Sequence, residues 1–369
     1  MSELESVVEV TRGAVVESRH RVHVAVVDAD GTLRAFAGDP DLTTFWRSAA
    51  KPIQALPVVD DGAFERFGLT LQELALVCGS HSGTPAHVRV AESILEKIGL
   101  TAESLACGAH EPFDREARRA LEEQGLEPVR LHNNCSGKHA GMMAVARARG
   151  WDPDGYQMLE HPVQARLLTE VARWTQLPAE AIGLGVDGCG VVCYAMPLSQ
   201  MALAYASLAA AARRGERGPA TVVEAMTAHP EMVAGEGRIC TDIARVTEGR
   251  VFAKLGAEGL YCVGVPGAEL GIALKVEDGS TRAVAPAVAG VLRELDLISE
   301  DDFGALHGYV FREITNTRGE ATGEVRPSIH LHPAEPGRVA PSADPTASTP
   351  VDSADPADGT DADAGSAPA

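Results

Sequence analysis

The chain has 369 residues, of which 45% are hydrophobic, and this length suffices to bury a core without disulfide cross-links. Its formal net charge of −20 argues against nucleic acid and anionic membranes as partners, because a strongly acidic surface repels both. The acidic N-terminus has no signal-peptide core, no window approaches about 18 apolar residues, and the seven cysteines are an odd number, so the sequence predicts a cytoplasmic protein with free thiols.

Strand patterns come first along the chain, at residues 7–11, 22–27 and 33–37, which are rich in β-branched side chains. Helical periodicity dominates from residue 51 to about 232, and a helix over 71–78 carries a capping-box pattern of Thr70 and Glu73. Strand patterns return at 251–254, 259–264 and 270–276 before a long helical segment at 281–297. The sequence therefore predicts an α+β fold whose sheet is built from N- and C-terminal strands around a helical middle region.

The last part of the chain changes composition to Pro, Ala, Asp, Ser and Thr, with almost no large apolar residue. Such a segment cannot bury enough apolar surface to offset the entropy of ordering it. The sequence therefore predicts one domain over residues 1–332 and a disordered acidic tail over residues 333–369.

Ser48 and Lys51 lie three positions apart at the predicted start of a helix, so the two side chains share one face. A serine becomes a useful nucleophile when a neighbouring base accepts its proton, and a lysine with a lowered pKa can be that base. The Ser-x-x-Lys spacing is the one that penicillin-recognising serine acylases use. The alternative is an ordinary solvated pair on a helix.

Ser80 lies in the Gly/Ser/His loop at 78–85, and Lys254 ends a strand pattern that enters a tight turn. Two lysines in one pocket lower each other's pKa, so Lys254 would make a second base at the Ser48 site. The alternatives are a helix-capping serine and an edge-strand lysine that discourages aggregation. Only five lysines occur in the chain, which makes a lysine inside a Gly/Ser-rich motif more informative.

Two further glycine-bounded segments, 133–139 and 187–190, contain Cys135, Cys189 and Asp187. The cysteines are candidate metal ligands, but their spacing matches no common zinc signature, and buried thiols explain them as well. Asp187 is a candidate anchor for a substrate ammonium group, with a turn aspartate as the alternative.

Six motifs together resemble the L-asparaginase II family of the Rhizobium etli type, in the right order and over about residues 5 to 330. They are RSAAKP (47–52), CGSHSG (78–83), NNCSGKH (133–139), VDGCG (186–190), GEGRICT (235–241) and KLGAEG (254–259). The resemblance implies a fold similar to the serine β-lactamases and glutaminases, a homodimer, and two Ser-Lys pairs in one site, Ser48 with Lys51 and Ser80 with Lys254.

The same resemblance implies a zinc site formed by Cys135, Lys138 and Cys189, in which the lysine must be neutral to bind the metal. It also places five more residues around the site: Arg47, Asn133, His139, Asp187 and Cys240.

The predicted activity is hydrolysis of L-asparagine to L-aspartate and ammonia. Neutral Lys51 would take the Ser48 proton as Ser48 attacks the carboxamide, and Ser80, backed by Lys254, would protonate the departing ammonia or activate water. Asp187 would anchor the α-ammonium group, and Arg47 would face the α-carboxylate. The alternatives are a glutaminase or another Ser-Lys amide hydrolase, and a non-catalytic, zinc-stabilised amino-acid-binding protein.

Overall fold

The computed structural model describes residues 5–340, and most of the predicted tail, 341–369, lies outside the described residues. The helices are α1 (Lys51–Asp60), α2 (Ala63–Arg66), α3 (Leu71–Val77), α4 (Pro85–Lys97), α5 (Arg115–Gln124), α6 (Ser136–Arg149), α7 (Pro162–Thr175), α8 (Leu198–Arg213), α9 (Arg217–Ala228), α10 (Pro230–Val233), α11 (Ile239–Val246), α12 (Thr281–Glu294), α13 (Glu300–Ala305) and α14 (His307–Val310). The strands are β1 (Val7–Arg12), β2 (Val15–Asp28), β3 (Leu33–Ala37), β4 (Thr43–Phe45), β5 (Gly183–Val186), β6 (Val192–Pro197), β7 (Phe252–Leu255), β8 (Leu260–Val265), β9 (Leu270–Val276), β10 (Arg312–Thr315), β11 (Ala321–Ser328) and β12 (His332–Pro333).

Strands from both ends of the described chain form one antiparallel sheet. Its main order is β10-β11-β1-β2-β9-β8-β7, while β3 pairs with β2 and β12 pairs with β3. The termini meet where β1 pairs with β11, with Val7 opposite Ser328. The α+β class, with a sheet from both termini and a helical middle region, is therefore confirmed.

Both faces of the central strands are buried, and the pleat divides their side chains between two cores. On β2, Ala25 and Val27 join the larger core, which contains α1, α3, α6 and α8. Val24 and Val26 on the same strand join a second core with α12, α13 and α14. The sheet is thus a middle layer, and its strands carry nearly continuous apolar runs for this reason.

Helix starts at the predicted positions follow from local chemistry. Thr70 accepts a hydrogen bond from the Glu73 N–H at 3.2 Å, and the Glu73 carboxylate accepts one from the Thr70 N–H at 2.7 Å, so the capping box of α3 is confirmed. Helix α1 tolerates Pro52 because this residue occupies its first turn, where a backbone N–H has no intrahelical partner. A 3₁₀ turn over Arg47–Ala50 leads directly into α1.

A small antiparallel sheet of order β4-β6-β5 lies beside this 3₁₀ turn. The Trp46 N–H donates to the Tyr194 carbonyl at 2.7 Å, which fixes the chain just before Ser48 against β6. The loop that joins β5 to β6 contains Cys189. The small sheet therefore holds the 3₁₀ turn and the Cys189 loop next to each other.

Residues 333–340, which the sequence assigns to the tail, pack against the β2–β3 hairpin. The Leu33 N–H donates to the Arg338 carbonyl at 2.9 Å, and the Ala340 N–H donates to the Gly31 carbonyl at 2.8 Å. These hydrogen bonds use backbone groups rather than apolar side chains, so composition gives no sign of them. Within residues 5–340, no helix has the length and apolar character needed to cross a membrane.

Candidate active site

Three distant segments meet at the Ser80 hydroxyl. Lys51 Nζ, from the first residue of α1, donates to Ser80 Oγ at 2.9 Å, and Lys254 Nζ, from β7, donates to the same oxygen at 2.9 Å. The side chains of both lysines are almost wholly buried, at 1% and 0% exposure. Lys51 also donates to the Gly79 carbonyl at 2.6 Å and to Cys135 Sγ at 3.2 Å. The predicted pairing of Ser80 with Lys254 is present, and Lys51 joins it.

Burial sets the protonation of this lysine pair. Burial, with a further contribution from the charge of Lys51, lowers the pKa of Lys254 to about 7. Burial also lowers the pKa of Lys51, with a smaller contribution in that direction from Lys138, against the opposing effect of Cys135. A neutral amine next to Ser80 is therefore accessible near neutral pH, where an exposed lysine stays charged.

Ser48 lies at the mouth of this cluster. It is half-buried and lines a cavity of about 550 Å³ together with Ser80. Its hydroxyl makes no hydrogen bond to Lys51 or to any other part of the described chain. The expected contact between Ser48 and Lys51 is thus replaced by one between Lys51 and Ser80, while Ser48 is left open to the cavity.

Arg47, directly before Ser48, has a left-handed backbone with φ of 51°, a conformation that costs a non-glycine residue roughly 1–2 kcal/mol. Its side chain holds the turn in place, because Nε donates to Asp187 Oδ1 at 2.9 Å. Burial raises the pKa of Asp187, but the charges of Lys138 and Arg47 outweigh this and hold it below its usual range. The two predicted substrate ligands therefore pair with each other, and neither lines the cavity.

Asn133 and His139 also bond to the protein and do not line the cavity. The Asn133 side chain donates to the Gly108 carbonyl at 2.7 Å and accepts from the Cys135 N–H at 2.9 Å, which braces the start of α6. His139 is wholly buried, with Nδ1 2.5 Å from the Tyr156 hydroxyl, and burial lowers its pKa well below the usual range. The two side chains therefore support the segment 133–139 and are not placed to contact a ligand in the cavity.

The residues of the predicted zinc site converge behind the lysine pair. Lys138 Nζ donates to Cys189 Sγ at 3.1 Å and lies 3.9 Å from Asp187 Oδ2. A hydrogen bond from the Cys189 thiol lowers the pKa of Cys135 well below its usual range, against the effect of burial, and Lys51 adds to this. Burial lowers the pKa of Lys138, but the charges of the two cysteines and of Asp187 raise it by more. The pKa of Lys138 therefore lies above its usual range.

The chemistry of this donor set suits zinc once Lys138 has lost its proton, because zinc binds thiolate sulfur and neutral nitrogen in a tetrahedral arrangement. Between residues 5 and 340, no group of three or more His, Cys, Asp and Glu side chains is arranged as a metal site. The set therefore depends on the Lys138 amine as its third donor.

Several residues of the cavity wall were not predicted as functional. Arg238 lies in the motif 235–241, which the resemblance includes without giving this residue a role, and Asn134 is the neighbour of the predicted Asn133. The other side of the cavity is apolar and comprises Phe113, Ile239, Leu255, Ala257, Val284 and Ala285. Arg238 could have been found from the sequence, because it is a basic residue inside a glycine-rich motif. The apolar residues of the wall have no such sequence signal.

Comparison with known families decides the class of the chain. The family model described as L-asparaginase II matches residues 8–327, a range that contains every site residue named above. The chain belongs to the L-asparaginase II family. It is accordingly an enzyme of the amidohydrolase class, and the predicted family is confirmed, while the Rhizobium etli type stays a prediction. No curated protein matches the chain.

Solved structures similar to this L-asparaginase II family member include Mglu in its native form, at 15% identity and a TM-score of 0.43. That match covers 76% of this chain and 66% of Mglu, so the chain spans just under two thirds of Mglu. A β-lactamase from Mycobacterium bovis matches at 14% identity over 74% of this chain and 94% of its own, with a TM-score of 0.39. A putative β-lactamase from Bacteroides dorei matches at 14% identity over 74% of this chain and 93% of its own, with a TM-score of 0.39.

Proposed function

We propose that this member of the L-asparaginase II family hydrolyses L-asparagine to L-aspartate and ammonia through a Ser-Lys mechanism. The observation that carries the proposal is the Ser80 hydroxyl, held at 2.9 Å by each of two buried lysines at the base of a cavity that Ser48 also lines. Buried amines with a lowered pKa are the bases that a serine hydrolase of this type requires. Family membership supplies the amide as the bond to be cleaved.

Ser48 is the proposed nucleophile, because this half-buried residue lines the cavity with a hydroxyl that is unbonded within the described chain, whereas Ser80 is only 5% exposed and its hydroxyl is engaged by two amines. Ser48 Oγ attacks the carboxamide carbon as neutral Lys51 takes its proton, through a contact that has to form on substrate binding because Lys51 bonds to Ser80 in the structure. The proton then passes from Lys51 to Ser80 and from Ser80 to the leaving nitrogen, so that ammonia departs and Lys51 is neutral again. A water molecule next gives a proton to Lys51 and attacks the ester carbon. The ester bond to Ser48 Oγ then breaks, and Lys51 returns the proton to that oxygen.

The negative oxygen of each tetrahedral intermediate needs hydrogen-bond donors. The backbone N–H groups of Ser48 and Ala257 meet this need, since both residues line the cavity and neither N–H donates to an acceptor within residues 5–340. Such donors typically contribute ~3 kcal/mol each to transition-state stabilisation. The left-handed backbone at Arg47 orients the Ser48 N–H towards the cavity, and this orientation is the functional role we assign to the strain.

The proposal includes zinc at Cys135, Lys138 and Cys189, where the convergence of two sulfur atoms and a buried amine supports it. Bound there, the metal would hold the thiolates and keep the Lys138 amine neutral. Metal analysis of the purified protein is expected to find about one zinc per chain, with loss of the metal in Cys135→Ala. Retained zinc in that variant, or none in the natural protein, would contradict the assignment.

Ammonia release from asparagine, glutamine and a chromogenic β-lactam tests the activity. Wild-type protein is expected to favour asparagine, and Ser48→Ala to lose at least ~10³-fold in kcat, because no other group forms the acyl bond. Ser80→Ala should lose ~10²–10³-fold as a proton-transfer defect. Ser207→Ala is the matched control, because this serine is half-buried like Ser48 but lies on α8 beside a different surface cavity.

Mass spectrometry of protein quenched during turnover locates the acyl group. A β-aspartyl increment on the peptide that contains Ser48 supports the assignment, whereas an increment on Ser80 reverses the roles of the two serines. Binding of asparagine without ammonia release supports the non-catalytic binding protein instead. The homodimer and the cytoplasmic location stay predictions.

A further inference from the structure

Arg238 lies in the catalytic cavity without an anionic partner. It directly precedes α11 and lines the same cavity as Ser48 and Ser80. No carboxylate of the described residues forms a salt bridge with it, and no Asp or Glu contributes to the wall of this cavity. The nearest acid in sequence, Glu236, is occupied by Arg245, with nitrogen–oxygen distances of 2.5 and 2.6 Å.

The guanidinium group is held in position through one of its nitrogens. Nη1 donates to the Ser80 carbonyl at 2.6 Å, and lies 3.3 Å from the Ala234 carbonyl and 3.4 Å from Ser82 Oγ. The group also lies over the Phe113 ring, with Cζ 5.7 Å from the ring centroid. Nε and Nη2 have no hydrogen-bond partner among residues 5–340. The arginine is thus oriented by neutral oxygens and keeps free donors.

A cation in this setting favours an anionic ligand. Burial lowers the pKa of Arg238, yet an arginine stays protonated in proteins, so the cavity carries a positive charge that the protein does not neutralise. A planar guanidinium with free N–H groups matches a carboxylate better than any neutral group. Arg47, which was predicted to face the α-carboxylate, already donates its Nε–H to Asp187.

We infer that Arg238 binds the α-carboxylate of the substrate and thereby restricts the enzyme to small amides that carry a free carboxylate. The inference rests on the proposed function, since it assigns a substrate group to the same site. The carboxylate would dock beside the backbone of Ser80, the residue whose hydroxyl shuttles the proton. The reacting carboxamide would then extend along the cavity to Ser48.

Steady-state kinetics on two substrates test this role. The first is L-asparagine, and the second is 3-aminopropanamide, which is asparagine with hydrogen in place of the α-carboxylate. Arg238→Gln is expected to lower kcat/KM for asparagine roughly 10- to 100-fold, mainly through KM, as the loss of charge-assisted hydrogen bonds implies. For 3-aminopropanamide the change should stay within a few-fold, and Arg238→Lys should fall between wild type and Arg238→Gln.

Arg245→Gln is the matched control, because this arginine belongs to the neighbouring helix α11 but pairs with Glu236 and does not line the cavity. It should leave both substrates unaffected. If Arg238→Gln slows both substrates equally, the arginine only braces the Ser80 loop and the inference is overturned. An equal effect of Arg245→Gln overturns it as well.

Calorimetric binding of L-aspartate separates this inference from the proposed function and also decides the matter if 3-aminopropanamide is not turned over. A wild-type protein that binds aspartate but releases no ammonia refutes the proposed activity alone. Binding that is weakened roughly 10- to 100-fold in Arg238→Gln and unchanged in Arg245→Gln supports the carboxylate site. Equal binding in all three proteins, or none in the wild type, refutes it.

Discussion

At the scale of single residues, the arrangement around Ser80 couples two amines through one hydroxyl. Lys51 and Lys254 each lie 2.9 Å from Ser80 Oγ, so a proton on one raises the cost of a proton on the other. Protons leave such a pair in steps that belong to the pair and not to either residue. The pair therefore offers one neutral base and one ammonium group over the pH range between those steps.

This coupling predicts an acid limb in the pH dependence of kcat/KM for asparagine. Burial lowers the pKa of Lys254 to about 7, so below that pH this amine is protonated and the pair loses the neutral base that it supplies. We expect kcat/KM to rise with pH, by up to about tenfold per unit well below pH 7, and to level off above it. The measurement is made from pH 5 to 7.5, where the α-ammonium group of the substrate remains largely charged.

Circular dichroism at each pH provides the control, since it separates titration of the pair from loss of the fold. A profile that is flat or falls with rising pH over this range contradicts a lysine base with a lowered pKa.

The sequence predicted most of the site at this scale but not the hydrogen-bond partner of Lys51. Ser48, Lys51, Ser80 and Lys254 were all expected in one site, and the structure brings their segments together. Helical spacing suggested that Lys51 reaches Ser48, yet the lysine side chain bonds to Ser80 and Cys135. Spacing defines neighbours within one helix, whereas a long side chain takes the partner that tertiary packing provides.

At the scale of elements, close contact between α8 and the sheet bears on the position of the 3₁₀ turn that contains Ser48. A Cβ atom on Gly271 of β9 would lie 1.9 Å from the Ala202 carbonyl oxygen and 2.4 Å from the Ala206 nitrogen, both backbone atoms of α8. From the same helix, the Tyr205 hydroxyl donates to the Ala49 carbonyl at 2.8 Å, next to Ser48. A displacement of α8 would therefore be transmitted to Ser48, the proposed nucleophile.

Gly271→Ala is expected to destabilise the protein by ~3 kcal/mol, since the added methyl group can be accommodated only by a backbone shift. It should also lower kcat. Gly267→Ala is the control, because a Cβ atom at that position meets nothing within 4 Å. Urea unfolding and ammonia release measure the two effects. Equal stability of the two variants would show that α8 moves away from β9 without cost.

The sequence predicted elements best where the local pattern is strong, as in the capped helix α3 and the apolar strands β3 and β9. It missed β5 and β6, because β5 is the glycine-rich segment Gly183–Val186, half of which has no side chain to carry a strand pattern. The predicted strand at 22–27 also began too late. The first half of β2 is mostly exposed and polar, and only pairing with β1 extends the strand to 14 residues. Edge and exposed strands are fixed by their partners more than by their own composition.

At the scale of the whole molecule, we expect the site to form only when the sheet is complete. Lys254 reaches Ser80 from β7 at one end of the sheet order, while the C-terminal strands β10 and β11 form the other end beside β1. Ser6 ties these termini together, since its hydroxyl donates to the His330 carbonyl at 2.7 Å and accepts from the His330 N–H at 2.9 Å. The active site therefore depends on strands that contribute no catalytic residue.

Two truncations test this dependence. Ending the chain after Ala340 keeps every strand that the structure describes, and we expect unchanged cooperative unfolding and ammonia release. Ending it after Val310 removes β10, β11 and β12, which leaves β1 as an unpaired edge and uncovers the core side chains Val8 and Val10. An exposed apolar edge strand promotes association between chains, so this truncation should aggregate and lose ammonia release.

Size-exclusion chromatography and thermal unfolding distinguish the two truncated proteins. The expected contrast is a single native-like species for the first and aggregated or unfolded chain for the second. Because β7 and the lysine pair are intact in both sequences, a difference in activity can arise only through the sheet. If the chain that ends at Val310 folds and releases ammonia, the C-terminal strands are dispensable and the site is supported by the central strands and α8 alone.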